Sequence, residues 1–245
     1  MSRRSSDLRL VVVTASLLAG GCNSTRHESA DVAHDLARQV ASAYHFNRFY
    51  SIEAIRYTFN ARADRKWTRR SWIWEPAKDR VTFKDFDPNR EKTKLTYDRS
   101  ELSDASDPTL KEIDHWFIND QYWLLFPYHL IWDQGLQLNY KAGVTTPIKG
   151  KSCSRLTVTY PDTGGYTPGD IYELYLTHGG SIREWVFRKG SNPNVTRIAT
   201  WKRHRKVGPL RLSLDHRSDD DSFRVWFSHV GVKRKGGRTW EITRE

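Results

Sequence analysis

The sequence predicts a mainly β protein of the α+β class, on three observations. Short runs in which apolar and polar residues alternate recur along most of the chain. Clusters of Pro, Gly, Asn and Asp separate those runs. Two segments instead carry apolar residues at every third or fourth position, the spacing of a helix face. No Pro-, Gly- or Ser-rich linker, fixed-period repeat or low-complexity tract divides the chain, so residues 31–245 are expected to form one domain.

The N-terminus reads as a leader. Arg3, Arg4 and Arg9 precede LVVVTASLLAGG, an apolar stretch too short for a bilayer span, which needs about 20 residues. Leu18-Ala19-Gly20-Gly21-Cys22 then resembles the lipobox of bacterial lipoproteins, with Ala19 where that family usually has leucine. The resemblance implies that residues 1–21 are a signal peptide and that Cys22 is lipidated as the first mature residue, with 22–30 as a lipidated tether. Acyl chains on Cys22 would hold the protein at a membrane with no protein segment inside it. Asn23 is not the aspartate that retains lipoproteins in the inner membrane of enterobacteria, so the outer membrane, facing the periplasm, is the expected location.

The full chain carries a net charge of +11. Loss of residues 1–21 removes three Arg and one Asp and leaves +9, a surface drawn to anionic partners. With Cys22 acylated, Cys153 stands alone and no internal disulfide is possible. On a strand it reads as a small packing residue, and the protein as a monomer.

A helix is expected over ADVAHDLARQVASAYHF, with Val32, Leu36, Val40 and Ala43 on its apolar face. The period then changes to two: Ile55, Tyr57 and Phe59 alternate with Arg56, Thr58 and Asn60, and the pattern returns in TRRSWIWE, RVTFKD and TKLTYD. The turn signals at 75–79 and 87–89 make antiparallel hairpins of these strands. DASDPTLKEIDHWFIND interrupts the series with a second helix, Asp107 as its N-cap and Pro108 at its first position. Strands resume at Leu136 and continue to the end, giving about eleven in all. So many sequential strands must close into a barrel, fold into two sheets, or curl round a helix.

Between the second helix and Leu136 lies NDQYWLLFPYHLIWDQG, in which nine of the eleven side chains from Tyr122 to Trp132 are apolar or aromatic. Eleven residues do not cross a membrane, and Pro127 is expected to break any helix at Phe126. The run therefore reads as a buried strand, entered at Asn119 and Asp120 and left through the turn Asp133-Gln134-Gly135.

Three basic clusters each neighbour a tryptophan: RADRKWTRR (62–70), WKRHRK (201–206) and KRKGGR (233–238). Arg69, Arg70, Lys202, Arg203, Arg205, Lys233 and Arg234 are the candidate rim for lipid or lipopolysaccharide phosphates, the alternative being solvated strand faces. Nucleic acid, which such a pairing suggests in cytoplasmic proteins, does not suit an exported chain. Catalytic signals are lacking: there is no G-x-S-x-G, H-E-x-x-H, C-x-x-C or glycine-rich phosphate loop, and the nine histidines show no metal-ligand spacing. No enzyme activity, cofactor or metal is expected. Thr177-His178-Gly179-Gly180 reads as a hairpin turn and Asp219-Asp220-Asp221 as a solvated loop.

The lipobox, the leading helix, the interrupted strand meander and paired tryptophans such as Trp72-Ile73-Trp74 together resemble the LolA/LolB superfamily of periplasmic lipoprotein carriers, and within it an uncharacterised lipoprotein family. The resemblance implies an incomplete, curved antiparallel β-barrel whose concave apolar face is lidded or plugged by helices and receives acyl chains. Tyr122, Trp123, Phe126, Tyr128, Trp132, Trp72 and Trp74 are then the expected cavity residues, with a lipid or acylated protein as partner. The competing expectation is an envelope module with a solid core that docks lipopolysaccharide or an acidic protein through its basic face.

Overall fold

A computed structural model describes residues 21–243 other than 64, 86–93, 104–105, 164–166, 191 and 195–196, and no side chains within 21–30. The leader and the Cys22 side chain, with its expected acyl chains, lie outside this description. The predicted fold class holds: two antiparallel sheets, unclosed, wrap around helices as a curved, incomplete barrel.

The larger sheet has eight strands in the order β10 (Lys202–Val207), β11 (Leu210–Arg217), β12 (Phe223–Arg234), β1 (Ile52–Ala63), β2 (Lys66–Glu75), β3 (Arg80–Asp85) and β4 (Lys94–Asp98), with β13 (Glu241–Ile242) also on β12. The smaller is a sequential meander of β5 (Gln137–Thr145), β6 (Ser152–Thr159), β7 (Ile171–Leu176), β8 (Ile182–Arg188) and β9 (Arg197–Thr200). The last long strand, β12, pairs with the first along nearly its whole length, from Ile52 opposite Arg234 to Ala63 opposite Phe223. The expected strand TRIATWKRH is two strands in different sheets. Buried Trp201 is the single residue between β9 and β10, and its N–H still bonds the Arg183 carbonyl of the smaller sheet at 2.7 Å.

Helix α1 spans Gly21–Ala43, so helical backbone extends back through the segment expected as a tether. Its buried stripe is Ala33, Ala37, Val40 and Ala41, continued by Tyr44 just past its end; of the expected face only Val40 is buried, Val32 being exposed and Leu36 and Ala43 half-buried. Small side chains on this stripe admit close approach to β5, β6 and the second helix. Gly180 (φ +76°) serves the same packing from the β7–β8 turn: an added Cβ would sit 3.0 Å from the Gln39 carbonyl oxygen of α1.

The greasy run is helix, not strand. Helix α2 runs unbroken from Pro108 to Trp132, capped by Asp107 through the Thr109 and Leu110 N–H groups, with Pro127 inside it. Proline removes one backbone hydrogen bond and clashes with the preceding turn, at a cost of about 3 kcal/mol. Burial outweighs that here, because the second half of α2 is apolar on nearly every side and a helix of that kind belongs in a core. Asn119 and Asp120 are mid-helix rather than a strand entry, while Asp133 does end the element.

α2 plugs the barrel. Phe117 packs edge-on against Trp72 and Trp74 of β2, with ring centroids 5.4 and 5.9 Å apart. Trp123 meets Trp185 of β8 at 4.4 Å, and Phe126 meets Tyr172 of β7 at 4.7 Å. Two buried carboxylates pin the helix to the larger sheet. Asp120 accepts from Arg70 Nε and Nη2 (2.8 and 2.6 Å) and from Trp72 Nε1 (2.9 Å), while Asp114 accepts from Tyr97 Oη and Arg99 Nε (2.9 and 2.7 Å).

Candidate functional site

Most of the expected cavity residues are packed in the core, and Trp72 also borders a cleft in the larger sheet. Phe126 and Tyr128 are fully buried, Tyr128 donating to the Tyr44 carbonyl at 2.7 Å, and Trp72 and Trp74 are buried in β2. Trp132 wedges between Phe49 (4.8 Å) and Trp74 (6.2 Å). Half-buried Tyr122 stacks on His129 at 3.9 Å, and its hydroxyl donates to Asp133, as do the Tyr160 hydroxyl and His129 Nδ1. That cluster fastens the exit of α2 to β6 and holds the Asp133 carboxyl below its usual range in spite of burial.

An opening lies elsewhere, within the larger sheet. β11 pairs with β12 only from Asp215 to Arg217, opposite Trp226, Val225 and Arg224. Over Leu210 to Leu214 the two strands part; the Arg211 N–H bonds the Tyr44 carbonyl at 3.3 Å. The strands meet again at the β10–β11 turn, where Gly208 (φ +56°) presses so closely on β12 that an added Cβ would lie 2.3 Å from Val232 Cγ2. On the other side of β12 its register with β1 slips between Arg56 and Thr58, and His229 takes a left-handed φ of +53°.

The parted strands border a cleft of about 820 Å³. Arg56, Arg69, Lys84, Arg203 and Arg205 line it, and no acidic side chain among the described residues does. Ile73, Leu214, Trp226, Val230 and Ile242 supply apolar lining, and Thr58, Ser71 and Ser228 supply hydroxyls. Ile73 and Ile242 are exposed at 38% and 58%. The Arg56 guanidinium stacks 4.7 Å from the Trp240 ring centre, and Arg56, Arg203 and Arg205 have no carboxylate partner among the described residues. Clustered cations, hydroxyls and flanking hydrophobes together suit an anionic headgroup joined to an apolar body.

The seven candidate rim residues divide on this geometry. Arg69, Arg203 and Arg205 line the cleft, and Lys202 joins Arg203 at a neighbouring one. Arg70 does not reach a rim, because it turns inward to Asp120, whose own pKa burial drives up. Lys233 is bound to Glu53 at 2.8 Å and Arg234 to Glu241, so carboxylates of the fold already hold both. Sequence reasoning missed Arg56 and Lys84, although the alternation that put Tyr57 and Phe83 inward also puts both outward.

Other candidates resolve as structure. Gly180 N–H bonds the Thr177 carbonyl at 3.0 Å, as a hairpin turn requires. Asp220 accepts from Ser218 and Ser222, which hold its pKa down to about 2, and Asp219 pairs with Lys149. Burial pushes the Cys153 thiol up, away from nucleophilic chemistry. Among the described residues no cluster of His, Cys, Asp and Glu is arranged to hold a metal ion, and no helix is long and apolar enough to cross a membrane.

No protein-family model matches the sequence, and no curated protein matches it. Among solved structures, the crystal structure of a DUF1329 family protein from Desulfovibrio piger is similar at a TM-score of 0.45 and 9% identity, over 86% of this chain and 95% of that one. Nothing about ligand or activity passes to this chain from a likeness of that degree.

Proposed function

We propose that this is a non-enzymatic binding protein of the bacterial cell envelope, tethered through Cys22, which seats the anionic headgroup of a lipid in the cleft between β11 and β12. The carrying observation is the cleft's composition: five basic side chains around about 820 Å³, three of them (Arg56, Arg203 and Arg205) with no carboxylate partner among the described residues, beside exposed isoleucines. Each cation near an anionic surface is worth about 1 kcal/mol, so five supply about 5 kcal/mol, a dissociation constant of about 0.2 mM before ordering costs and before any contribution from the apolar lining. Docking by the basic face is thereby favoured over acyl chains inside the barrel, where α2 already fills the space between the sheets. The first segment of a lipid tail would lie against Ile73, Trp226 and Ile242.

Cosedimentation with vesicles tests the reading. The full chain should pellet with vesicles containing phosphatidylglycerol and not with pure phosphatidylcholine, and Arg69→Glu/Arg205→Glu should abolish the difference. Equal binding to both vesicle types, or an unaffected double variant, would remove the cleft from the function.

A further inference from the structure

A second cleft, of about 980 Å³, opens on the other side of β10, where the chain passes from the smaller sheet to the larger. Lys151, Arg183, Lys202 and Arg203 line it, and none of the four has a carboxylate partner among the described residues. The acidic side chain in its lining, Glu184, is 3% exposed and is occupied by the backbone N–H groups of Ile148 (2.6 Å) and Lys149 (3.1 Å). His204, in the same wall, is bound to Tyr44 Oη at 2.8 Å. Burial and the nearby Arg211 lower its pKa to about 4, so at neutral pH it adds no charge and the exposed cations define the field.

Arg203 connects the two openings. It lines both clefts and sits at φ +53°, a left-handed conformation that costs a non-glycine residue free energy and collects at functional positions. A ligand with one anionic group would use one cleft and leave the other's cations facing only water. We infer that the ligand is an amphiphile bearing two separated phosphate groups, one seated in each cleft, with Arg203 between them. This inference rests on the function proposed above and names the chemical class of its ligand.

The test compares diphosphoryl and monophosphoryl lipid A, which differ in one phosphate, as micellar probes of the full chain. The wild type should bind the diphosphoryl form at least about fivefold more tightly, the worth of one cation–phosphate contact. Lys151→Glu and Arg183→Glu, confined to the second cleft, should erase that preference and leave monophosphoryl binding unchanged. Arg69→Glu should weaken both probes, and Lys141→Glu, an equal charge change on exposed β5, should leave the ratio intact; thermal melting confirms that each variant folds. A wild type without preference, second-cleft variants that keep it, or equal loss of both lipids would overturn the inference. Displacement of the lipid by micromolar sodium pyrophosphate would overturn it too, since the ligand would then be a free anion. Failure of the wild type to bind either lipid would sink the proposed function itself, whereas monophosphoryl binding without discrimination sinks only the two-phosphate ligand.

Discussion

Arg69 and Arg70 are neighbours on β2 and meet opposite environments. Arg70 points into the barrel, where its Nε and Nη2 donate to Asp120 of α2, and Trp72 and Asn119 also donate to that carboxylate. Arg69 points outward to a cleft lined by further cations and by hydroxyls, with no acidic lining among the described residues. The interior is therefore a region of paired charge and packed side chains, and the split in the sheet is a region where five basic side chains border open volume. Strand alternation sorts the basic residues between these two regions, and local composition does not.

The contrast breaks most severely at Asp120. Asp120→Ala would leave the Arg70 guanidinium half-buried without its partner and should cost about 3–5 kcal/mol in urea unfolding. A loss below about 1 kcal/mol would mean that the pair does not hold α2 in place. Leu124→Ala, at a fully buried site on α2, should cost about 3 kcal/mol through the void it leaves, while a ligand-filled interior would tolerate it.

Acid sharpens the same boundary. His216 is fully buried against Trp201, and neither ring nitrogen makes a hydrogen bond. The Thr200 and Ser213 backbones and Asp215 favour its charged form, but burial dominates and lowers its pKa from 6.5 to about 3. The unfolded chain takes up a proton that the folded chain refuses. Stability is thus full above about pH 6.5 and falls as pH drops toward 3, by about 1.4 kcal/mol per unit from this group. His216→Phe should flatten that slope in urea titrations and leave stability at pH 7.5 nearly unchanged; an unaltered slope would assign acid sensitivity elsewhere. The smallest effect on folding belongs to the cleft: Arg205→Glu should alter stability by less than about 0.5 kcal/mol, yet weaken anionic-vesicle binding about fivefold or more, increasingly so at low salt. Comparable damage to both properties would make Arg205 a structural residue.

Much of this was legible in the sequence. The period-two runs mark the strands from Ile52 onward, and Asp107-Pro108 marks the start of α2. The end of α2 departs from the sequence expectation because helical phase outweighs Pro127. Ile113, Phe117, Leu124 and Tyr128 continue one helical face through the tryptophan-rich run, and a helix breaker is overruled when that much aromatic surface is buried. Three of the seven rim cations belong to the main cleft, and the rest could not be separated from them by composition. Lys233 and Arg234 sit in as basic a cluster as Arg203 and Arg205, yet carboxylates at Glu53 and Glu241 hold them.

The sequence by itself determined the class of elements, their order and the faces of most strands, because propensity, turn chemistry and alternation act over a few residues. Tertiary structure alone decided that α2 persists through Pro127, that β11 leaves β12 to open a cleft, and that Arg70 turns inward to the buried carboxylate of Asp120 while Arg69 lines the cleft. Each depends on contacts between distant segments, such as Arg70 with Asp120 fifty residues away, and the free energy of burial and charge pairing there exceeds any local preference.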